Sequence, residues 1–244
     1  MKNNKLCVIL LLLLLLLIIY KLKYKENFET IEDVHKKLKI NGDFSQEVPE
    51  QQMIFKYINS NSKILEFGPN IGRSSLIANY KLKDKTQHLC IETIKDSCDR
   101  LEVNRDLNNM KFQIFNGAIS NYPLYQRGWK TQIAPSKGYT KVNTKPLNYV
   151  LEKYKIKFNT IIADCEGCLV PILKDNETFL NNINLIILEH DFNNEEDINI
   201  FNNLMKKYNF KLVDKMLKSD KGCPGINWRE GVKSDPIFVS VWKK

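Results

Sequence analysis

Five short aliphatic runs punctuate the middle of the chain, at 63–67 (KILEF), 88–92 (HLCIE), 111–115 (KFQIF), 158–163 (FNTIIA) and 185–189 (LIILE). Each is bounded by turn residues, and the stretches between them carry helical patterns, at 73–80, 96–108, 144–154 and 169–180, the last interrupted around Pro171. Strands alternating with helices at this spacing predict a mainly parallel sheet covered on both faces. The end of the chain departs from the pattern. After a helix over 195–207, the runs 211–216 (KLVDKM) and 237–242 (IFVSVW) are joined without a clear crossover helix, so they should pair antiparallel. Upstream, 50–59 (EQQMIFKYIN) carries Met53, Ile54, Tyr57 and Ile58 at helical spacing and should lie against the core. The segment 121–141 is a long irregular insertion, and loops of that size in compact domains usually serve function or move.

Ahead of this domain stands an uncharged run at 6–20 that includes eight consecutive leucines. As a helix it would span ~22 Å, short of a ~30 Å hydrocarbon core, so Lys5, Lys21 and Lys23 would have to snorkel. No small residues stand before a cleavage point, which favours an uncleaved single-pass anchor over a secretory signal. The expected organisation is an anchor over 1–25, a stalk over 26–49 and one domain over 50–244. More Lys follow the run than precede it, which leans the domain toward the cytoplasm without excluding a lumenal orientation. The first 25 residues hold five Lys and no acid, which leaves only +4 of the net +9 for the rest. That mild excess, without Arg clusters, does not describe a nucleic-acid surface. Cys165 and Cys168 have C-x-x-C spacing, but no second pair or nearby His turns them into a zinc or redox motif.

The sharpest motif follows the first strand: Glu66, Gly68, Asn70 and Gly72 in EFGPNIGRSS. Glycines after a buried strand let the backbone turn tightly and approach a ligand. The spacing is not G-x-G-x-x-G and there is no Gly-Lys-Ser ending, so neither a dinucleotide nor a P-loop reading applies. An acid before the turn would repel phosphate but suits the sulfonium and ammonium of S-adenosylmethionine. Glu92 closes the second strand, where an acid can accept both ribose hydroxyls of an adenosine cofactor. Asn116 and Ala118, around Gly117 after the third strand, fall where an adenine would lie. Two further clusters, Asp164-Cys165-Glu166-Gly167 and Glu189-His190-Asp191, follow the fourth and fifth runs and should reach the carboxyl edge of the sheet. Helix capping explains either alone. Together they favour function, first for Asp164, then for Glu166, Glu189 and His190. Oxygen-rich residues there would suit Mg²⁺, yet the sequence alone assigns no metal.

These residues resemble FkbM-type S-adenosylmethionine-dependent methyltransferases. The likeness rests on EFGPNIGRSS, HLCIE, Asn116-Gly117-Ala118 and above all FNTIIADCEG followed by LIILEHD, and it spans roughly 50–242. Ile162 stands where the family usually carries Lys, and the 121–141 insertion has no clear counterpart. The resemblance implies an α/β, three-layer, Rossmann-like class I methyltransferase sheet of seven strands with an antiparallel C-terminal strand. It implies O-methylation of a hydroxyl on a glycan or small metabolite. Position by position it assigns Glu66, Gly68 and Gly72 to the methionine end of the cofactor, Glu92 to the ribose, and Asp164 to the face near the methyl; Asn70, Asn116 and Ala118 are further expected cofactor-binding residues. His190 is the alternative base, with Glu166 beside it. The competing reading is an inactive methyltransferase-fold binding module. A sugar transferase with another donor lacks its D-x-D motif.

Overall fold

The computed structural model describes residues 29–223, 232 and 234–244. The chain divides into two compact units, 1–36 and 37–244. The described part of the first centres on helix α1 (Ile31–Lys37), opened by reciprocal hydrogen bonds between Thr30 and Asp33.

The second unit is built on a seven-stranded sheet of order β11-β12-β10-β9-β1-β2-β3. Its strands are β1 (Ile64–Phe67), β2 (His88–Glu92), β3 (Gln113–Asn116), β9 (Thr160–Ala163), β10 (Leu185–Glu189), β11 (Lys211–Leu217) and β12 (Ile237–Lys243). From β3 to β10 every pairing is parallel, and β12 runs antiparallel to both β10 and β11. The seven strands and the reversed last one are as expected. Burial explains the aliphatic runs. All four residues of β1 and of β9 are buried, as strands covered on both faces must be.

Helices α2 (Val48–Tyr57), α3 (Arg73–Lys81), α4 (Lys95–Leu107), α5 (Leu147–Tyr154), α6 (Leu169–Asp175) and α7 (Glu195–Lys207) provide the cover. Side chains alternate along a strand, so Leu65, Phe67, Leu89 and Ile91 join Val150, Leu173 and Phe201 of α5, α6 and α7 in one core. Cys90 joins Leu76 of α3 and Leu101 of α4 in another, against which Leu38, Ile40 and Phe44 pack. Pro171 does not break α6, because it sits in the first turn, where its missing N–H has no helical partner to lose. The helix ends instead at Asn176, before a 3₁₀ turn (Glu177–Asn182). At the sheet edge β11 carries two register shifts and exposed Lys211, which guard against further strand pairing.

The 121–141 insertion is ordered as a small antiparallel sheet of β5 (Tyr125–Arg127), β6 (Lys130–Gln132) and β7 (Thr140–Lys141). A parallel pair, β4 (Ala118–Ile119) and β8 (Thr144–Lys145), closes its base. Helix α5 consequently starts at Leu147, three residues later than the sequence pattern suggests.

The expectation of a single-pass membrane protein with a cytoplasmic domain is corrected. Among the described residues no helix is long and apolar enough to cross a membrane. The longest described helices have 13 residues, ~20 Å, against a ~30 Å hydrocarbon core, and the aliphatic runs are strands. The apolar run itself, and the anchor assigned to 1–25, lie outside the described residues.

Gly68 has φ +73°, and a Cβ built on it would stand 1.6 Å from the Asp164 carbonyl oxygen. Gly128, at φ +58°, has nothing within 4 Å. Gly68→Ala should therefore cost more than ~4 kcal/mol of stability or prevent folding, whereas Gly128→Ala should cost only about 1–2 kcal/mol of backbone strain. Denaturant titration of both variants checks this, and equal stabilities would refute it.

Candidate active site

A cleft of about 820 Å³ opens at the carboxyl ends of β1, β2, β9 and β10. Backbone hydrogen bonds beyond the strand ends hold its floor together: Gly68 N–H to Ile91 O (3.1 Å), Asp164 N–H to Phe67 O (3.1 Å) and Gly117 N–H to Glu92 O (2.8 Å). Gly68, Asn70 and Gly72 all take positive φ, so the β1–α3 turn curls back on itself and aims backbone into the cleft. Gly72 is also fixed by packing, since a Cβ there would lie 2.5 Å from Leu101.

Glu92 lines the cleft with its carboxylate held in place. The Asn70 N–H donates to one oxygen (3.1 Å) and the Ile94 N–H to the other (2.8 Å). Burial pushes its pKa up, and these amides work against that. The oxygens retain lone pairs for two further donors. Beside it, Asn70 Nδ2 donates to Glu47 (3.4 Å), and Arg73 pairs with Glu47 (3.2 Å) while its Nε donates to the Asp43 carbonyl (2.8 Å). The loop ahead of α2 is thereby tied to the glycine turn, and Glu47 becomes a wall of the cleft that the sequence did not suggest.

Ala118 lines the cleft with Ile91 and Ile119, an apolar slot beyond Glu92. Asn116 does not. Its Nδ2 donates to the carbonyls of Glu92 (3.0 Å) and Thr93 (3.2 Å), so it braces the strand ends instead of facing a ligand. The insertion supplies the outer wall through Leu124, Gln126 and Trp129, and Gln126 is anchored by a 2.7 Å bond to Thr93.

Two further expected site residues, besides Asn116, point elsewhere. Glu66 lies two residues before the glycine turn, and strand alternation turns it under the sheet toward α3. Its carboxylate accepts from Ser74 (2.7 Å), Ser75 (2.6 Å) and His88 (2.8 Å), fully shielded from the large cleft. Burial opposes its charge, but the His88, Ser75 and Ser74 contacts outweigh burial and hold it below the usual range. His190 is the second. Its Nδ1 bonds Asp235 (2.6 Å) and its Nε2 bonds Ser240 (2.7 Å), an arrangement locked against β12 and outside the cleft lining.

Asp164 and Glu189 do face the cleft, and Glu166 lines it beside them. Asp164, Glu189 and Asp191 bring carboxylate oxygens within 4.8 Å of one another. Asp191 is held by the D-C-E-G turn. With Glu166 at φ +54° and Gly167 at φ +80°, the backbone N–H groups of Cys165, Glu166 and Gly167 converge on its carboxylate, Cys165 at 3.0 Å. Burial raises Asp191 to about 6 in spite of them. Asp164 is pushed up to about 8 by burial and by the charges of Glu47, Asp191 and Glu166, and it shares a hydrogen bond with Glu189, itself raised well above its ordinary value. Cys165 and Cys168 form a disulfide across this turn, a pairing their spacing left undecided.

Glu50 completes the group and is absent from the sequence assignments. It lines the cleft with Asp164 and Glu189, is 4% exposed, and neither carboxylate oxygen has a hydrogen-bond partner among the described residues. A signal was present: Glu50 stands three and four residues before Met53 and Ile54, on the apolar stripe of its helix.

A family model described as the Methyltransferase FkbM domain matches residues 49–212. No curated protein matches. Among solved structures, the chain is similar to the O-methyltransferase from Bacillus cereus in complex with SAH, with 13% identity over 88% of this chain and 90% of that one and a TM-score of 0.49. It is also similar to the m1A22 tRNA methyltransferase of B. subtilis, with 11% identity over 80% and 64% of the two chains and a TM-score of 0.44.

Glu66 yields a pH-dependent prediction. The groups facing it are Ser74 and Ser75 of α3, His88 and Cys90 of β2, and the charge of Glu47. Because its folded pKa is depressed, its stabilisation is complete above the unfolded value and is lost as pH falls through the folded one. Glu66→Gln should cost roughly 3–5 kcal/mol at neutral pH, with the gap to wild type narrowing below pH ~4. Melting curves across pH measure it; a constant gap would mean that the carboxylate is not ionised.

Proposed function

The chain belongs to the FkbM methyltransferase family and is an S-adenosylmethionine-dependent methyltransferase, and from that premise we propose O-methylation of a hydroxyl on a glycan or small metabolite, with Asp164 as the group that orients the hydroxyl and receives its proton. The observation that carries this reading is the contact between Asp164 and the glycine turn. The Asp164 backbone abuts Gly68, its carbonyl oxygen 1.6 Å from where a Cβ at 68 would stand, so this acid is rooted beside the turn assigned to the methionine end of the cofactor and lines the same cleft.

The residues present fit the cofactor. Glu92 keeps acceptor capacity toward a ribose diol, and Ile91, Ala118 and Ile119 offer an apolar slot for adenine. Glu47 and the Asn70 turn line the end where an ammonium would need a negative partner. S-adenosylmethionine supplies an electrophilic methyl on a sulfonium sulfur, a leaving group that needs no acid. What remains for the protein is alignment and proton removal. Alignment of two bound reactants contributes as much as ~7–11 kcal/mol, and a positioned base adds roughly 10²–10⁴-fold. Asp164 is suited to the second task because its carboxyl is open to the cleft and braced by Glu189. Trp129 and Leu124 of the insertion form the outer wall against which an acceptor would rest. Glu66, Gly72, Asn116 and His190 act through the scaffold in this reading.

Isothermal titration of the chain with S-adenosylmethionine tests the cofactor site. Glu92→Ala should weaken binding about 10- to 100-fold, the loss of one or two hydrogen bonds to a charged acceptor, and unchanged affinity would remove the ribose assignment. Asp164→Asn should retain cofactor affinity within about threefold while methyl transfer to hydroxylated acceptors falls by ~10²–10⁴. A fully active Asp164→Asn variant would place proton removal elsewhere.

A further inference from the structure

We propose that the carboxylates of Asp164, Glu189, Asp191 and Glu50 form a binding site for one divalent cation, Mg²⁺ or Mn²⁺, on the acceptor side of the cleft. Three of these groups already hold oxygens within 4.8 Å of each other, so a small inward movement brings them to the ~4.2 Å or less that separates ligands of one octahedral ion. The cluster alone would be unremarkable, since acids gather at many surfaces. Glu50 is the independent sign. It lies on α2, a different element from the β9 and β10 ends that carry the others, is 4% exposed, and leaves both oxygens unpartnered among the described residues while lining the cleft beside Asp164 and Glu189.

A buried carboxylate without a donor is costly whether ionised or neutral. Glu50 is in that position, and four carboxylates gathered together need protons or a cation; none of the ion pairs among the described residues supplies one, since Arg73 is engaged with Glu47 and the other pairs involve neither Asp164, Glu189, Asp191 nor Glu50. The clustered donors of Asp164, Glu189 and Asp191 are all oxygen: His190 is closed by Asp235 and Ser240, Cys165 is tied to Cys168, and Cys223, a free thiol that lines the cleft, stands outside the cluster. That chemistry selects hard divalent ions over zinc or copper. Asp191 would be the fixed ligand, because the turn amides orient it in advance. The cleft leaves space on the remaining side for water or for an acceptor oxygen. An oxygen held there would have its pKa lowered by the ion, a role that rests on the methyl-transfer reading. The binding site itself does not.

Manganese binding to the full chain, freed of metal by chelation, separates the two. Titration with MnCl₂, followed by the electron paramagnetic resonance signal of the free ion in the absence of S-adenosylmethionine, should reveal one saturable site per chain. Mg²⁺ should compete for it. Glu50→Gln and Glu189→Gln should each weaken binding at least tenfold, and Glu177→Gln, half-buried and paired with Lys207 away from the cleft lining, should leave it unchanged. If Glu189→Gln fails to fold by circular dichroism, Asp191→Asn replaces it. Absence of saturable binding at millimolar Mn²⁺, or binding indifferent to Glu50→Gln and Glu189→Gln, overturns the site. Failure of S-adenosylmethionine binding with Mn²⁺ binding intact would instead count against the methyl-transfer reading alone.

Discussion

The approach of Gly68 to the Asp164 carbonyl is the constraint on which the rest of the cleft depends. Strands β1 and β9 pair in register up to Phe67 and Ala163, so the first residues beyond them must pass each other at backbone distance. Any side chain at 68 would occupy the position of the Asp164 carbonyl. Glycine therefore permits both the left-handed turn into α3 and the closure of the central strand pair. One consequence is mechanical: the glycine turn and Asp164 belong to one backbone-bonded element, tied further to β2 by the Gly68 N–H. Alignment between two reactants can then be a property of the folded sheet, with no separate closing motion required.

How far this was legible in the sequence depends on the scale of the interaction. Strand positions were readable because burial on both faces demands uninterrupted aliphatic runs, and the reversal of β12 because no crossover helix fits between the last two strands. Residues at or immediately beyond strand ends, such as Gly68, Glu92 and Asp164, were placed at the carboxyl edge for the same reason. Side chains within or beside strands were harder. Glu66 and His190 sit next to the correct edge, yet strand alternation and the partner strand β12 turn them into the scaffold, and no motif spacing records that choice. Asn116 is consumed by local carbonyls. Glu50 and Glu47 come from the segment before β1, where the link to the site is purely tertiary. The small sheet of the insertion escaped because its strands have two or three residues, too short to show a period.

Two groups of enclosed carboxylates in this domain reach opposite solutions. Glu66 is sealed beneath the sheet but meets two serine hydroxyls and an imidazole, so it keeps its charge and acts as an internal tie between β1, β2 and α3. Asp164, Glu189 and Glu50 meet mainly one another. Their affinity for protons rises accordingly, as it must where like charges gather in a site of reduced dielectric. A fold can tolerate the second arrangement only where the groups adjoin an opening. The difference between the two sets is thus a difference between architecture and a surface kept available for a ligand.

The Cys165–Cys168 disulfide belongs to the same logic. Closing so short a loop removes little conformational freedom from the unfolded chain, on the order of 2 kcal/mol in the loop-entropy account. Its effect is local. Glu166 and Gly167, between the two cysteines, adopt the left-handed backbone that directs the turn's N–H groups onto Asp191, and a non-glycine residue such as Glu166 holds that conformation at a cost. A covalent brace across the turn and a carboxylate seated in it restrain the same few dihedral angles. The turn also begins with Asp164 itself. Fixing it therefore fixes the residue whose backbone packs against Gly68 and whose carboxylate belongs to the acid cluster, so the D-C-E-G segment rigidly joins the two halves of the cleft.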